Sequence, residues 1–374
     1  MNESTFILTM NSDSRHIPAA GATAERNAKD TRPILIVPYM WIGDFVRCHS
    51  VVKVLRQRFP ERPVDVLATS LCAPLADYMP GIRQAIVADL PRSRLALSQQ
   101  RALARRLRQE NYGMALTMPR TWKAALAPFL AGIPERVGFA GEARFLLLND
   151  VRFGEKKLPR MIDRCAMLAL PRGTPQPADW PLPELEVPAS EIAAWRIRRG
   201  LTQDQPIVAL APGAVGPSKR WTTEGFAALA RRLKDDGAAV WVLGGPGEKA
   251  TATAIAAEGG GALDLTGTDL RDAIIALAAA SVAVSNDSGL LHVAAAAGTP
   301  SIGIFGPTSA WHWAPLNPLA DVIEAESELP CRPCHKPVCR LAHHRCMRDI
   351  APEQVLAAAR SILAKTVEMQ GVPA

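Results

Sequence analysis

The sequence predicts an α/β protein of two units, each built on a parallel sheet, with the two sheets facing a cleft. Short runs of branched apolar residues, such as PILIVP at 33–38 and QPIVALAPGA at 205–214, alternate with longer segments of helical spacing. The same alternation starts again in the second half of the chain. Between the halves lies PRGTPQPADWPLPELEVP, residues 171–188, rich in proline and poor in regular signals. The 374 residues suffice for two domains of ordinary size. We therefore expect a flexible leader at 1–32, a first domain at 33–180, a linker at 181–190, a second domain at 191–350, and a C-terminal helix and tail at 351–374.

In the first half, strands are expected at 33–38, 62–69, 81–89, 112–119 and 135–141. FVRCHSVVKVLRQRF, residues 45–59, has helical spacing that turns Phe45, Val52, Leu55 and Phe59 inward. The arginine-rich segment 92–109 and WKAALAPFLAG at 122–132 read as further helices. In the second half, strands at 205–214, 238–248, 282–287 and 300–307 alternate with helices near 189–199 and at 222–237, 248–259, 270–281 and 288–298. Thr222 or Thr223 is expected to cap the 222–237 helix and Gly237 to stop it. A last helix covers 351–369, with Pro352 in its first turn.

Bulk properties narrow the function classes. The formal charge is +7, much of it arginine, which invites an anionic partner or simply marks a solvated helix face. Only 5% of residues are aromatic and no nucleic-acid motif is present, so no nucleic-acid partner is expected. No run approaches the ~18 apolar residues of a membrane span. The first residues lack a basic stretch followed by an apolar one, so they do not read as a signal peptide. An odd number of cysteines, seven, then points to a reducing compartment.

Three stretches carry chemistry. In SNDSGLLHVAAAAG, residues 285–298, the chain leaves the carboxyl end of a strand and enters a helix. Asp287 or Ser288 can cap that helix, and Gly289 lets a ligand approach the amides. A helix start offers unpaired N–H donors and a positive dipole end, which suits a phosphate. Ser288 and His292 share a face. Asp287 repels phosphate, so it orients the turn or holds a hydroxyl or an ammonium. The plain alternative is a capped core helix with a satisfied histidine. In APGAVGPSKRW, 211–221, a glycine turn leads to Lys219 and Arg220, and a lysine in such a loop makes a mobile counter-charge for a diphosphate. In PYMWIGDFVRCHS, 38–50, Asp44 stands at the start of the first helix. It either caps that helix or faces the cleft, where it can take a proton from an acceptor hydroxyl.

Together these stretches resemble glycosyltransferase family 9, the heptosyltransferases. IVPYMWIGDFVRCHSVVKVLRQRFP is similar to that family's opening strand, Gly-Asp turn and first helix. GMALTMPRTWKAALAPFLAGIPERVGFAGEARFLLLND, PGAVGPSKRW and SNDSGLLHVAAAAGTPSIGIFGPTSAWHWAPLNP are similar to its later motifs, so the likeness spans about residues 33–360. The resemblance implies a GT-B fold with two Rossmann-like domains. It implies ADP-L-glycero-β-D-manno-heptose as donor, held by the second domain, and a heptosyl-Kdo2-lipid A inner core as acceptor, met by the first. Asp44 falls on the catalytic base. Lys219, Asp287, Ser288, Gly289 and His292 fall on the donor site, and Glu248 is the nearest acid to the position expected to contact the ribose. Arg105 and Arg120 are candidates for acceptor anions. No cofactor is required by this chemistry. A lipid-anchored acceptor implies a cytoplasmic protein, peripheral to the cytoplasmic face of the inner membrane. The remaining alternatives are a related transferase with another sugar or acceptor, and a sugar- or lipid-binding module without catalysis.

CRPCHKPVCRLAHHRC adds Cys331, Cys334, Cys339 and Cys346. A Cys-x2-Cys pair followed by two more cysteines can hold structural zinc or an iron–sulfur centre, though the spacing is tighter than in common knuckles. Unmetallated thiols or a disulfide are the other readings. The proposed transfer needs none of these cysteines.

Overall fold

The computed structural model of the chain describes residues 30–91, 94–201 and 205–369; residues 1–29 of the expected leader lie outside the described residues. Two six-stranded sheets form the frame, and every strand pairing in them is parallel. The first holds β1 (Ile34–Val37), β2 (Val64–Ala68), β3 (Ile82–Val87), β4 (Met114–Thr117), β5 (Glu135–Phe139) and β6 (Asp150–Arg152) in the order β3-β2-β1-β4-β5-β6. The second holds β7 (Ile207–Ala211), β8 (Ala239–Val242), β9 (Leu263–Asp264), β10 (Val282–Asn286), β11 (Ser301–Phe305) and β12 (Ala320–Glu324) in the order β12-β11-β10-β7-β8-β9. The two orders are the same pattern, with the direction of winding reversing between β1 and β4 and between β7 and β10. Crevices for ligands open at such reversals, beyond the carboxyl ends of the strands.

Side-chain alternation splits each sheet into two faces. Ile34 and Ile36 of β1 join an apolar core that runs without a break into the second unit, reaching Trp195, Ile274 and Val293. Leu35 and Val37 turn the other way, under the Leu97–Gln109 and Trp122–Leu130 helices. In the second sheet Trp241 faces the shared core, while Val240 and Val242 face the Thr223–Asp235 and Pro352–Met369 helices. Thr222 caps the first of these, accepting from the Gly225 amide at 3.0 Å. Among the described residues no helix is long and apolar enough to cross a membrane.

The proline-rich stretch is fastened to both units. The Glu184 amide donates to His49 Nδ1 at 2.9 Å, Glu186 N to Tyr78 O at 2.7 Å, and Leu185 N to Ala296 O at 2.8 Å. Elsewhere the first helix begins earlier than expected, at Ile42, because extended Trp41 supplies its cap position. Strands β6, β9 and β12 were not expected. They are short edge strands carrying Asp150, Arg152, Asp264, Asp321 and Glu324, and charges of this kind erase the apolar run that marks a buried strand.

His49 has no exposed surface, and its neutral ring donates from Nε2 to Pro80 O at 2.8 Å while accepting at Nδ1. Burial pushes its pKa down from 6.5 to about 4. As pH falls the unfolded chain takes up this proton first, so stability is lost from about pH 6.5 down to about pH 4. We predict a loss of roughly 2–3 kcal/mol between pH 7 and pH 4.5 that the His49→Asn protein does not share, read by urea denaturation at the two pH values.

Candidate active site

The carboxyl ends of the strands beside both reversal points carry most of the candidate residues. Asp44 lies in the first turn of the Ile42–Arg47 helix after β1. Lys219 ends a short Pro217–Lys219 turn after β7, Asp287 follows β10, and Gly289 opens the Gly289–Ala296 helix. The two helices meet across the lobes with almost no clearance. A Cβ on Gly43 would stand 2.5 Å from His292 Cδ2, and one on Gly289 would stand 2.7 Å from Ile42 Cβ. Only glycine at these two positions permits the approach, and it brings Asp44 to the rim of the helix end.

Neither acid caps a helix. Asp44 accepts from Arg47 Nη1 at 3.0 Å, and no side chain caps the helix that contains it. Burial raises its pKa, offset in part by the Arg47 charge; Asp287 pushes it further up and Lys219 draws it down. Asp287 Oδ2 instead binds Lys219 Nζ at 2.7 Å and the Thr308 hydroxyl at 2.7 Å. Asp287 therefore holds an ammonium and a hydroxyl, as its repulsion of phosphate requires. Ser288 occupies the cap position without a cap bond, and its Oγ lies 3.0 Å from Ser285 Oγ. The amides at the start of this helix keep their dipole-aligned donors for an anion.

The lysine loop is braced from several sides. Asn286 Oδ1 accepts from Trp221 N at 3.0 Å while its Nδ2 donates to Pro212 O at 2.6 Å. Trp221 Nε1 donates to Ile350 O at 3.0 Å. Glu248, in the turn after β8, comes to the same loop with Oε1 4.0 Å from Arg220 Nη2. His292 is buried and its ring meets Arg47, whose Nη2 lies 2.9 Å from Nε2. Burial, with the Arg47 and Lys219 charges, holds its pKa well below the usual value, so the ring is neutral.

The remaining candidates lie elsewhere. Arg120 stands beyond β4 and pairs with Glu155 at 3.0 Å. Arg105 is exposed on the Leu97–Gln109 helix, whose buried face is Gln100, Leu103, Ala104 and Leu107. A metal centre at Cys331, Cys334, Cys339 and Cys346, one of the readings of that cluster, is not supported. Among the described residues no group of three or more His, Cys, Asp and Glu side chains could hold a metal ion. Cys346 packs into the apolar core with Met347 and Ile350, where burial pushes its thiol up to about 11. The segment serves as a backing to the lysine loop: Ser218 N donates to Pro337 O at 3.1 Å, and His344 Nε2 to Ser218 O at 2.6 Å.

Comparison with known proteins gives the class first. The solved structure of the ADP-heptose LPS heptosyltransferase II of Escherichia coli matches with a TM-score of 0.78 at 33% identity, covering 89% of this chain and 99% of that one. The architecture is GT-B, and the protein is a glycosyltransferase. Residues 100–344 match glycosyltransferase family 9 (heptosyltransferase). Lipopolysaccharide heptosyltransferase 2 of Escherichia coli K12 is 34% identical over 345 residues, 88% of this chain and 98% of that protein. Lipooligosaccharide heptosyltransferase 2 of Haemophilus influenzae is 35% identical over 348 residues, 89% and 99% of the two chains. The chain belongs to glycosyltransferase family 9.

Arg47 was not among the candidates. Arg47 was legible in principle, as a lone cation in the apolar run FVRCHSVV three residues after Asp44, where helical side chains meet. The interlobe fit gives a direct test. Gly289→Ala should destabilise the protein by about 1–3 kcal/mol, the usual cost of overpacking. Gly247→Ala, where a Cβ meets nothing within 4 Å, should stay within about 0.5 kcal/mol of the parent. Chemical denaturation of the two variants checks both.

Proposed function

We propose that this protein transfers L-glycero-D-manno-heptose from ADP-L-glycero-β-D-manno-heptose to the heptosyl-Kdo2-lipid A inner core of lipopolysaccharide, with inversion at the anomeric carbon. One observation carries this reading most directly: a half-buried carboxylate, Asp44, stands at the junction with a helix start flanked by Lys219. The donor diphosphate lies over the Ser288 and Gly289 amides. Negative charge grows there as the glycosidic bond breaks, and Lys219 with the helix end stabilises it. Asp287 and Thr308 hold the lysine in readiness, and Glu248 takes the ribose hydroxyls. On the other side Asp44 removes the proton of the incoming alcohol, which attacks the sugar face opposite ADP. Burial suits the acid to this task, because a raised pKa makes its carboxylate a stronger base. The step needs no covalent intermediate and, so written, no metal.

The first lobe binds the acceptor, with Arg105 and Arg120 meeting its anionic groups, and the second binds the nucleotide. A lipid-anchored acceptor places the enzyme in the cytoplasm, at the cytoplasmic face of the inner membrane. The family membership and the 34% identity to a heptosyltransferase 2 over most of the chain support this donor and acceptor above another nucleotide sugar.

The test is product analysis with ADP-heptose and defined inner-core acceptors. ADP release only in the presence of acceptor, with a heptose-sized mass gain, is expected. Binding of ADP-heptose without turnover, or turnover only with other nucleotide sugars, overturns the reading. Asp44→Asn should lower kcat by about 10²–10⁴-fold, and Lys219→Met by about 10²–10³-fold. Charge reversal at Arg105 and Arg120 together should raise the acceptor KM and leave the donor KM unchanged.

A further inference from the structure

Arg47 is 3% exposed, yet its guanidinium makes contacts on both lobes. Nη1 donates to Asp44 Oδ1 at 3.0 Å on its own helix. Nη2 points across the junction, 2.9 Å from His292 Nε2 and 3.1 Å from the Trp313 carbonyl oxygen. The guanidinium carbon also sits 5.2 Å from the centre of the Trp313 ring. His292 must accept through Nε2, so its proton is on Nδ1, and its neutrality is what lets two nitrogen groups meet at this distance.

We propose that Arg47 is a positioning residue that fastens Asp44 to the second lobe, so that the carboxylate is aimed into the cleft only when the lobes are closed on each other; this rests on the reading of Asp44 as the proton acceptor. The bond to Oδ1 fixes the carboxylate plane and leaves Oδ2 for the alcohol. His292 lies one turn into the helix that begins at Gly289. A donor seated on the start of that helix and the base on the facing helix are thus joined through one guanidinium. A planar fork can serve both lobes at once, whereas an ammonium is a point charge without fixed directions. His292 accordingly acts from behind the donor site, through Arg47, and does not offer a cation to the diphosphate.

The charged and titratable groups facing Asp44 are Arg47 on its own helix, Asp287 and Lys219 from the second lobe, and Cys165 and Tyr39 from the first. Arg47 is the cation that most favours the carboxylate. Removing it raises the pH at which Asp44 loses its proton, so the acidic limb of the kcat profile moves to higher pH. Steady-state kinetics over pH on the full chain test this with Arg47→Met, Arg47→Lys and His292→Phe. Arg47→Met should lower kcat by about 10²-fold, the effect of roughly 1 Å of misplacement, move the acidic limb upward, and change the donor KM little. Arg47→Lys should return the limb toward its original pH while recovering only part of kcat. His292→Phe should lower kcat with the limb in place, since the cation remains. A kcat loss in Arg47→Met with an unmoved limb, or no loss at all, overturns the proposal. Should Arg47→Met fail to fold, the other two decide: parental kcat and limb in both overturn it. An inactive Asp44→Asn beside unaffected Arg47 variants rejects this inference alone, whereas a fully active Asp44→Asn rejects the base itself.

Discussion

The helix after β1 and the helix after β10 meet through Gly43 and Gly289, and the buried guanidinium of Arg47 fills the angle between them. The placement of the reactive groups follows from this contact. It sets how far Asp44 lies from the helix end that begins at Gly289. The contact is costly to assemble, because bringing an ion out of water carries an effective penalty of several kcal/mol. It is offset by a carboxylate, a neutral imidazole and a backbone carbonyl, each within 3.1 Å. Removing one member of such a buried pair typically costs about 3–5 kcal/mol, so the junction is also a point at which the whole fold is sensitive.

Around this contact the charges are ordered so that acids and cations alternate. Asp44 faces Arg47, and Asp287 faces Lys219. Asp44 and Asp287 repel, which adds to the upward shift that burial gives Asp44. The same arrangement keeps Lys219 in place without neutralising it permanently: a salt bridge with a lysine that is 29% exposed can yield part of its hydrogen bonding to a stronger anion. Rigidity comes from the backbone of the loop, not from the ion pair. Asn286 bonds the loop at Trp221 and Pro212, and the cysteine-rich segment bonds it at Ser218. Such bracing is what charge stabilisation needs, since donors already in position require no reorganisation during the reaction.

Much of the frame could be read from the sequence. Buried parallel strands such as ILIV and IVALA are apolar on both faces, and the segments that follow these strands and β10 carry Asp44, Lys219 and Asp287. Three things were hidden, each for a reason. Edge strands such as Asp150–Arg152 are paired on one side only and bear charges, so their pattern resembles a loop. The partner of Asp287 is determined by where two distant loops meet, which spacing along the chain does not encode. His292 was read as facing a ligand or as a satisfied core histidine, and its ring is covered by Gly43 and Arg47 from the other lobe. Helical periodicity tells which residues lie together; what lies opposite them is a property of the tertiary fold.

The basic character of the chain illustrates the same limit. A formal charge of +7 suggested an anionic partner, yet many arginines are spent inside the protein on carbonyl oxygens. Arg144 is buried and donates to Phe139 O and Pro119 O at the carboxyl ends of the first sheet. Arg62 donates to Arg32 O at 2.8 Å, Arg58 to Ala169 O, and Arg136 to Leu147 O at 2.7 Å. Guanidinium groups suit this work because several directed N–H donors can satisfy strand-end carbonyls that lack a ladder partner. Net charge therefore overstates the attraction available to a ligand. What matters for an anion is the small set of cations directed at a crevice. Lys219, held at the reversal point of the second sheet beside the start of the Gly289–Ala296 helix, is such a cation.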